Sequence, residues 1–361
     1  MSRLRRLPLA ALIAAAALGG CVYRFDKWSG PSQPTPPPAP PAAVQFVAFG
    51  DAGSGSEGQA AVGRAMARVC ADRGCDFALE LGDNFYPRGV GSADDAQFDS
   101  AFEKPYELLN VPVYAVLGNH DNAGAHGGDG GNNARGDFQV LHHATKWRMP
   151  ARYYYIKMPV DADPPLAAFF GLDSSPLTAW AADADPRWAP QAYAAQQLDW
   201  LRSVMASSAA TWKVVFAHHP YISNGPHGDA GHYEARAGDA ATASGALWQN
   251  LIEQGVCAQH VDLYLAAHDH ALQWLKPVPG CGRTQFIVSG AGATDDLDPL
   301  ADGHRHPPYW QSAGRGGFFW VRLDAERMTV AAFTLNDQNE LTANPYRHPV
   351  PAYEESVMRL R

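Results

Sequence analysis

A layered α/β fold is predicted for this 361-residue chain by two features of its sequence. From residue 44 onward, short apolar runs suited to strands alternate with stretches of helical periodicity. Five of these runs end in Asp, Asn or His directly after a small residue, at Gly50-Asp51, Gly82-Asp83, Gly118-Asn119, Ala217-His218 and Ala267-His268. In open α/β sheets the ligand crevice lies beyond the carboxyl ends of the strands, so these polar residues are expected to converge. Composition agrees. With 46% hydrophobic and 18% charged residues the chain is globular rather than disordered or fibrous.

In chain order, residues 44–49 form the first expected strand, followed by a helix over 59–73 with Val62, Met66 and Val69 at helical spacing. Strands are expected at 77–81, 113–117, 212–217 and 261–266, each leading into one of the polar ends. Further strands are expected at 286–289 and 318–323, with 328–335 pairing with the latter as a hairpin. No repeat of fixed length occurs. The glycine-rich stretch 122–136, with six glycines and three asparagines, is expected to lie near the site as a mobile loop.

The amino-terminal segment reads as an export signal. Arg3, Arg5 and Arg6 flank a twelve-residue apolar run at 7–18, too short to span a bilayer, and small residues follow. Leu18-Gly19-Gly20-Cys21 resembles the bacterial lipobox, whose cysteine becomes the acylated amino terminus. Val22 rather than Asp follows it, which by the sorting rules of such lipoproteins implies the outer membrane. Residues 31–41 hold seven prolines in eleven positions, a semi-rigid polyproline spacer of about 3.1 Å per residue. The expected organisation is a signal peptide at 1–20, a lipid-anchored Pro-rich tether at 21–43 and a folded body at 44–361. Such a chain would be an exported bacterial lipoprotein, periplasm-facing or in the outer membrane, and is expected to be a monomer.

The formal charge is −9. Without the three leader arginines, 25 basic residues face 37 acidic ones, a net −12. That balance argues against a nucleic-acid partner. A small anionic substrate is still admitted where a metal supplies local positive charge.

Asp, Asn and His are ligands for hard to borderline cations, and no thiolate stands at these strand ends. Gly-Asp after a strand is often only a turn. The ordered series Asp51, Asp83-x-x-Tyr86, Asn119-His120-Asp121, His218 and His268-x-His270 is far more specific. Phe85 is expected to fill the core after its turn, leaving the polar ring of Tyr86 to face the crevice. His219, His260 and His348 carry no assigned role.

With GDNFYPRGV (82–90), VLGNHDN (116–122), LDSSPL (172–177), QLDWLRS (197–203), FAHHP (216–220), AAHDHALQ (266–273), SGAG (289–292), GGFFWVRL and MTVAAF, residues 44–349 resemble the purple acid phosphatases. These belong to the calcineurin-like metallophosphoesterases, and the resemblance is to their small, tartrate-resistant type. It implies a layered β-sandwich flanked by helices, which hydrolyses small phosphomonoesters at acid to neutral pH. It also implies Fe(III) held by Asp51, Tyr86 and His270, and Fe(II), Zn(II) or Mn(II) held by Asn119, His218 and His268, with Asp83 bridging. Phenolate and carboxylate oxygens favour the trivalent ion, and imidazoles with an amide suit the divalent one. His120 is implied to hold a phosphate oxygen or pass a proton to the leaving group. His227 matches a second histidine near the substrate, with a solvated loop histidine as its alternative. Ala267 stands where the family has Gly, adding a methyl that could crowd the backbone.

Apart from Cys21, Cys70, Cys75, Cys257 and Cys281 allow three pairings. Gly74 near the helix end favours 70–75 with 257–281. A phosphodiesterase or nucleotide hydrolase of the same fold is the competing enzyme reading, and Tyr86 weighs against it. A surface-anchored binding pseudoenzyme is the other alternative, disfavoured because all seven ligand positions are filled.

Overall fold

The chain lays down four strands of one sheet, then seven of another, and returns to the first with three more. The computed structural model describes residues 43–300, 305–344 and 347–359. The signal peptide, Cys21 and the proline-rich run lie outside the described residues. Strands β1 (Ala43–Phe49), β2 (Phe77–Glu80), β3 (Val113–Ala115) and β4 (Trp147–Arg148) run parallel, side by side. The next seven are β5 (Tyr154–Met158), β6 (Ala167–Gly171), β7 (Trp212–Phe216), β8 (Leu263–Ala266), β9 (Leu272–Leu275), β10 (Gln285–Ser289) and β11 (Pro308–Ser312). They form the second sheet, in the order β11-β9-β10-β8-β7-β6-β5. Strands β12 (Gly317–Asp324), β13 (Arg327–Thr334) and β14 (Tyr353–Met358) complete the first, in the order β14-β13-β12-β1-β2-β3-β4.

Side-chain alternation sorts each strand between two cores. On β6, Ala167 and Phe169 pack between the sheets, while Ala168 and Phe170 face the other way. Phe169 meets Phe46 and Phe77 of the first sheet edge-on, with ring centroids 5.2 and 5.1 Å apart. On β8, Leu263 and Leu265 point inward and Tyr264 and Ala266 outward. The helices are α1 (Glu57–Arg73), α2 (Ala134–Leu141), α3 (Ser175–Thr178), α4 (Pro190–Ser207) and α5 (Ala246–Ile252). Val62, Met66 and Val69 of α1 join the core of the first sheet. Leu198 and Leu201 of α4 and Trp248 of α5 cover the outer face of the second. This is the layered β-sandwich flanked by helices expected from the sequence.

Local departures have local causes. Helix α1 starts at Glu57, two residues before the apolar periodicity, because the Ser56 hydroxyl accepts the Gln59 amide at 3.1 Å and caps it. The strand expected at 113–117 ends its ladder at Ala115, although the Val116 amide still reaches the Glu80 carbonyl at 3.0 Å. Strands β4, β5, β6, β9, β11 and β14 were not expected. Both disulfides are those favoured by the sequence, Cys70–Cys75 and Cys257–Cys281. The first closes over the end of α1, where Gly74 adopts φ +86° and its amide donates to the Cys70 carbonyl at 2.9 Å.

Glu80, at the end of β2, is fully buried, and among the described residues neither of its carboxyl oxygens has a hydrogen-bond partner. Burial, with the Asp121 charge adding to it, pushes this carboxyl well above the usual range. The folded state therefore keeps a proton that the unfolded chain releases near pH 4.3. Above that pH the unfolded state binds fewer protons, so stability falls as pH rises, by about 1.4 kcal/mol per unit until Glu80 ionises. Glu80→Gln is expected to flatten this slope and to be the more stable protein at pH 7.5. Urea denaturation of both proteins at pH 5 and 7.5 checks it; equal slopes would show that Glu80 is paired or ionised.

Candidate dinuclear metal centre

Both parallel strand groups end at the same place. β1 leads to Asp51, β2 to Asp83, β3 to Asn119, β7 to His218 and β8 to His268. Three of these residues sit in left-handed backbone conformations, with φ +55° at Asp51, +54° at Asp83 and +71° at His268. Such angles are uncommon outside glycine and persist where surrounding contacts enforce them. Here the Asp51 amide donates to the Gly82 carbonyl at 3.1 Å, and the His268 amide donates to Asp51 Oδ2 at 2.7 Å.

The side chains gather in two groups. The Tyr86 hydroxyl lies 3.4 Å from Asp51 Oδ1, 3.3 Å from Asp83 Oδ2 and 3.3 Å from His270 Nε2. Around His218 Nε2 stand Asn119 Oδ1 at 2.8 Å, His268 Nδ1 at 3.2 Å and Asp83 Oδ2 at 3.5 Å. Asp83 Oδ2 belongs to both groups, and Asp83 Oδ1 accepts the His120 amide at 2.8 Å. Phe85 is fully buried, 4.8 Å from Phe98, which leaves Tyr86 to turn toward the donors.

Outer contacts aim these atoms. His218 Nδ1 faces the Leu81 carbonyl at 3.0 Å, so Nδ1 carries the proton and Nε2 is a bare acceptor. The Asn119 amide nitrogen donates to the Gly128 carbonyl at 2.9 Å, which turns its oxygen toward His218. His270 Nδ1 lies 3.1 Å from the Asp296 carbonyl, freeing Nε2 for the site. Acceptor thus faces acceptor at hydrogen-bond distance in a buried place, and a cation resolves that conflict.

Charge tells the same story. Burial, then the charge of Asp83, pushes the Asp51 carboxyl well above its usual value, and burial with both aspartates does the same to the Tyr86 phenol. Burial holds the His268 imidazole well below its ordinary value and also depresses His218. A set of dehydrated oxygens and neutral imidazoles fits metal ions of moderate to high charge density.

Asp121 clamps the two turns that carry Asp83 and Asn119. It accepts the Gly118 amide at 2.8 Å, the Asn84 amide at 3.1 Å, the Phe85 amide at 3.2 Å and Gln139 Nε2 of α2 at 2.8 Å. Gly118 is needed beside it, because a Cβ there would lie 2.1 Å from Asp83 Oδ1. The methyl of Ala267 finds its room opposite Gly50, where a Cβ would come within 2.6 Å of the Ala267 Cβ. Gly50→Ala is therefore expected to cost about 1–3 kcal/mol through overpacking, and Ala267→Gly to recover part of that in the double variant. Thermal melts of the four proteins test it; additive losses would show that the two positions do not share space.

His120 and His227 both border a cleft of about 230 Å³ beside the donors, lined further by Gly127, Gly128, Trp180, Asp296 and Asp298. His120 Nδ1 faces the Pro87 carbonyl at 2.8 Å, and its ring lies 4.5 Å from that of Tyr86. His227 packs its ring 4.4 Å from His268, while its amide donates to Asp269 Oδ1 at 2.9 Å. His219 stays buried between hydroxyls, with Nδ1 2.7 Å from the Ser174 oxygen and Nε2 3.1 Å from that of Thr178. The glycine-rich loop does lie at the site, but it is not slack. Asp129 gathers the amides of Gly124, His126 and Gly131 at 2.5, 2.9 and 3.0 Å. Asp121 sits inside a motif visible in the sequence, whereas Gln139, Trp180 and Asp298 carried no sequence signal.

Known proteins are similar to this chain over most of its length. Tartrate-resistant acid phosphatase type 5 of Rattus norvegicus is 28% identical over 327 residues, covering 85% of this chain and 91% of that protein. The Homo sapiens protein of the same name is 30% identical over 306 residues, covering 79% and 86%. Among solved structures, GAP50, the anchor in the inner membrane complex of Plasmodium, superposes with a TM-score of 0.65 at 17% identity. That match covers 89% of this chain and 90% of the other, and it speaks for the fold. The sequence pattern of the calcineurin-like phosphoesterases matches residues 44–272, and the chain belongs to that family.

Proposed function

We propose that the protein is an acid phosphatase that hydrolyses small phosphomonoesters at a dinuclear Fe(III)–M(II) centre. The observation that carries this reading is the shared Asp83: one carboxylate oxygen stands between a group rich in oxygen donors and a group rich in imidazoles. Asp51, Tyr86 and His270 would hold the trivalent ion. Asn119, His218 and His268 would hold Fe(II), Zn(II) or Mn(II). When bound, such a pair supplies Lewis acidity toward a phosphoryl oxygen and an acidified water for in-line attack.

The chain's own residues supply the rest. The Pro87 carbonyl occupies His120 Nδ1, so Nε2 is left toward the cleft, where Gly128 gives it space; a Cβ at Gly128 would lie 2.6 Å from that nitrogen. His120 Nε2 can hold a phosphoryl oxygen or deliver a proton to the departing alkoxide. His227, across the cleft, orients the ester. The parallel strands fix both walls, so substrate meets a preformed site.

Metal analysis with a panel of phosphoesters on purified protein tests the proposal. A phenolate bound to Fe(III) gives a visible charge-transfer band, so the wild type is expected to be coloured and Tyr86→Phe colourless at equal iron content. An active, fully metallated wild type that is colourless and iron-free would remove the Fe(III) assignment and leave two divalent ions. We further infer that Cys21 is the acylated first residue of an outer-membrane lipoprotein. Its support is the sequence Leu18–Cys21, and release of Cys21→Ser from membranes, or its failure to be processed, is the expected result. A mature protein that begins elsewhere without lipid would end that inference.

A further inference from the structure

We propose that Trp180 selects the leaving group, favouring phosphomonoesters of aromatic alcohols that carry no further negative charge. The inference rests on the phosphomonoesterase reading and names the substrate side of the same site.

Beyond the metal donors and the two cleft histidines, the wall consists of Gly127, Gly128, Trp180, Asp296 and Asp298. Among the described residues, no lysine or arginine lines it. The glycines present no side chain, and the Asp296 side chain is 84% exposed at the rim. Among the described residues Trp180 is therefore the one large apolar side chain of this wall, and the others are carboxylates.

Trp180 is held in place by both neighbouring loops. Its amide donates to the Asp129 carbonyl at 2.9 Å, and its carbonyl accepts the Ala240 amide at 2.7 Å. Asp129 is itself tied down by three amides of the glycine-rich loop. The Arg236 guanidinium lies 5.9 Å from the Trp180 ring centroid, and the Arg236 amide is bound by Asp239 Oδ2 at 2.6 Å. These anchors are backbone contacts apart from the guanidinium, so they survive truncation of the indole. An indole carried on a fixed backbone, with a guanidinium beside its ring, offers a stacking surface whose position costs little to set. Asp296 and Asp298 repel a leaving group that carries its own phosphates, an effect that salt weakens at the exposed Asp296.

The test compares phenylphosphonate with methylphosphonate by calorimetry on the metal-loaded protein, together with turnover of phenyl phosphate, glycerol 1-phosphate and ATP. Trp180→Ala is expected to weaken phenylphosphonate and to raise KM for phenyl phosphate about three- to tenfold. Methylphosphonate and glycerol 1-phosphate should change less than about twofold, and Trp180→Phe should restore the aromatic preference. Asp296→Asn should lower KM for ATP at low ionic strength, with the gain lost at high salt. Equal weakening of both phosphonates in Trp180→Ala, or no discrimination between them in the wild type, overturns the inference. Discrimination through Trp180 without turnover of any ester would keep the inference and overturn the hydrolytic reading instead.

Discussion

Asp83→Ala is expected to lose both metal ions and to lower kcat by at least about 10³-fold, because Lewis-acid catalysis contributes several kcal/mol and each 1.36 kcal/mol is tenfold. Asp83 Oδ2 lies 3.3 Å from the Tyr86 hydroxyl and 3.5 Å from His218 Nε2, whereas Asp51 Oδ1 comes within 3.9 Å of His218 only at Nδ1, the nitrogen turned to the Leu81 carbonyl. The fold should survive, since the buried Asp83 side chain bonds to the His120 amide and the Tyr86 hydroxyl, both within the site, rather than to the apolar core. Elemental analysis, far-UV circular dichroism and single-turnover assays check the three parts. A variant that retains one tightly bound ion would mean that Asp83 serves one group only.

His120→Ala is expected to behave oppositely in its metal content. Both ions stay, because the Asp83 contact comes from the backbone amide of residue 120, which alanine keeps. The side chain contributes Nε2 toward the cleft, and loss of a positioned acid or base costs about 10²–10⁴-fold in kcat. Full metal content with a lowered kcat supports the role. Loss of metal with unchanged turnover per metal pair would assign His120 to metal retention.

The parts legible in the sequence were those tied to a local physical demand. A buried strand that delivers a polar side chain to a crevice advertises itself by Gly or Ala before Asp, Asn or His, and all five such ends meet in the structure. The Cys70–Cys75 pairing followed from a helix end with Gly74 beside it. What escaped was set by tertiary contact. β6, Ala167–Gly171, is buried on both faces and reads as a bare apolar run without a polar end. β14, Tyr353–Met358, is an outer strand whose mostly exposed residues look like a tail until β13 pairs with them. Trp180 belongs to a loop, and only the approach of Asp129 and Ala240 makes it a cleft wall. The mobility expected of residues 122–136 overlooked Asp129, whose carboxylate converts glycine freedom into a fixed turn.

The placement of β1 between β2 and β12 bears on how this molecule is made. Ala43 pairs with Asp324 and Ala48 with Phe319, so the strand that carries Asp51 gains its second neighbour only when the last part of the chain has been synthesised. Contacts so distant in sequence slow folding, because loop closure precedes any reward from pairing. Until then β1 has an open edge, the kind of surface that recruits other chains. A ribosome-released chain ending before Gly317 should therefore aggregate through that edge rather than accumulate as a folded, metal-free intermediate.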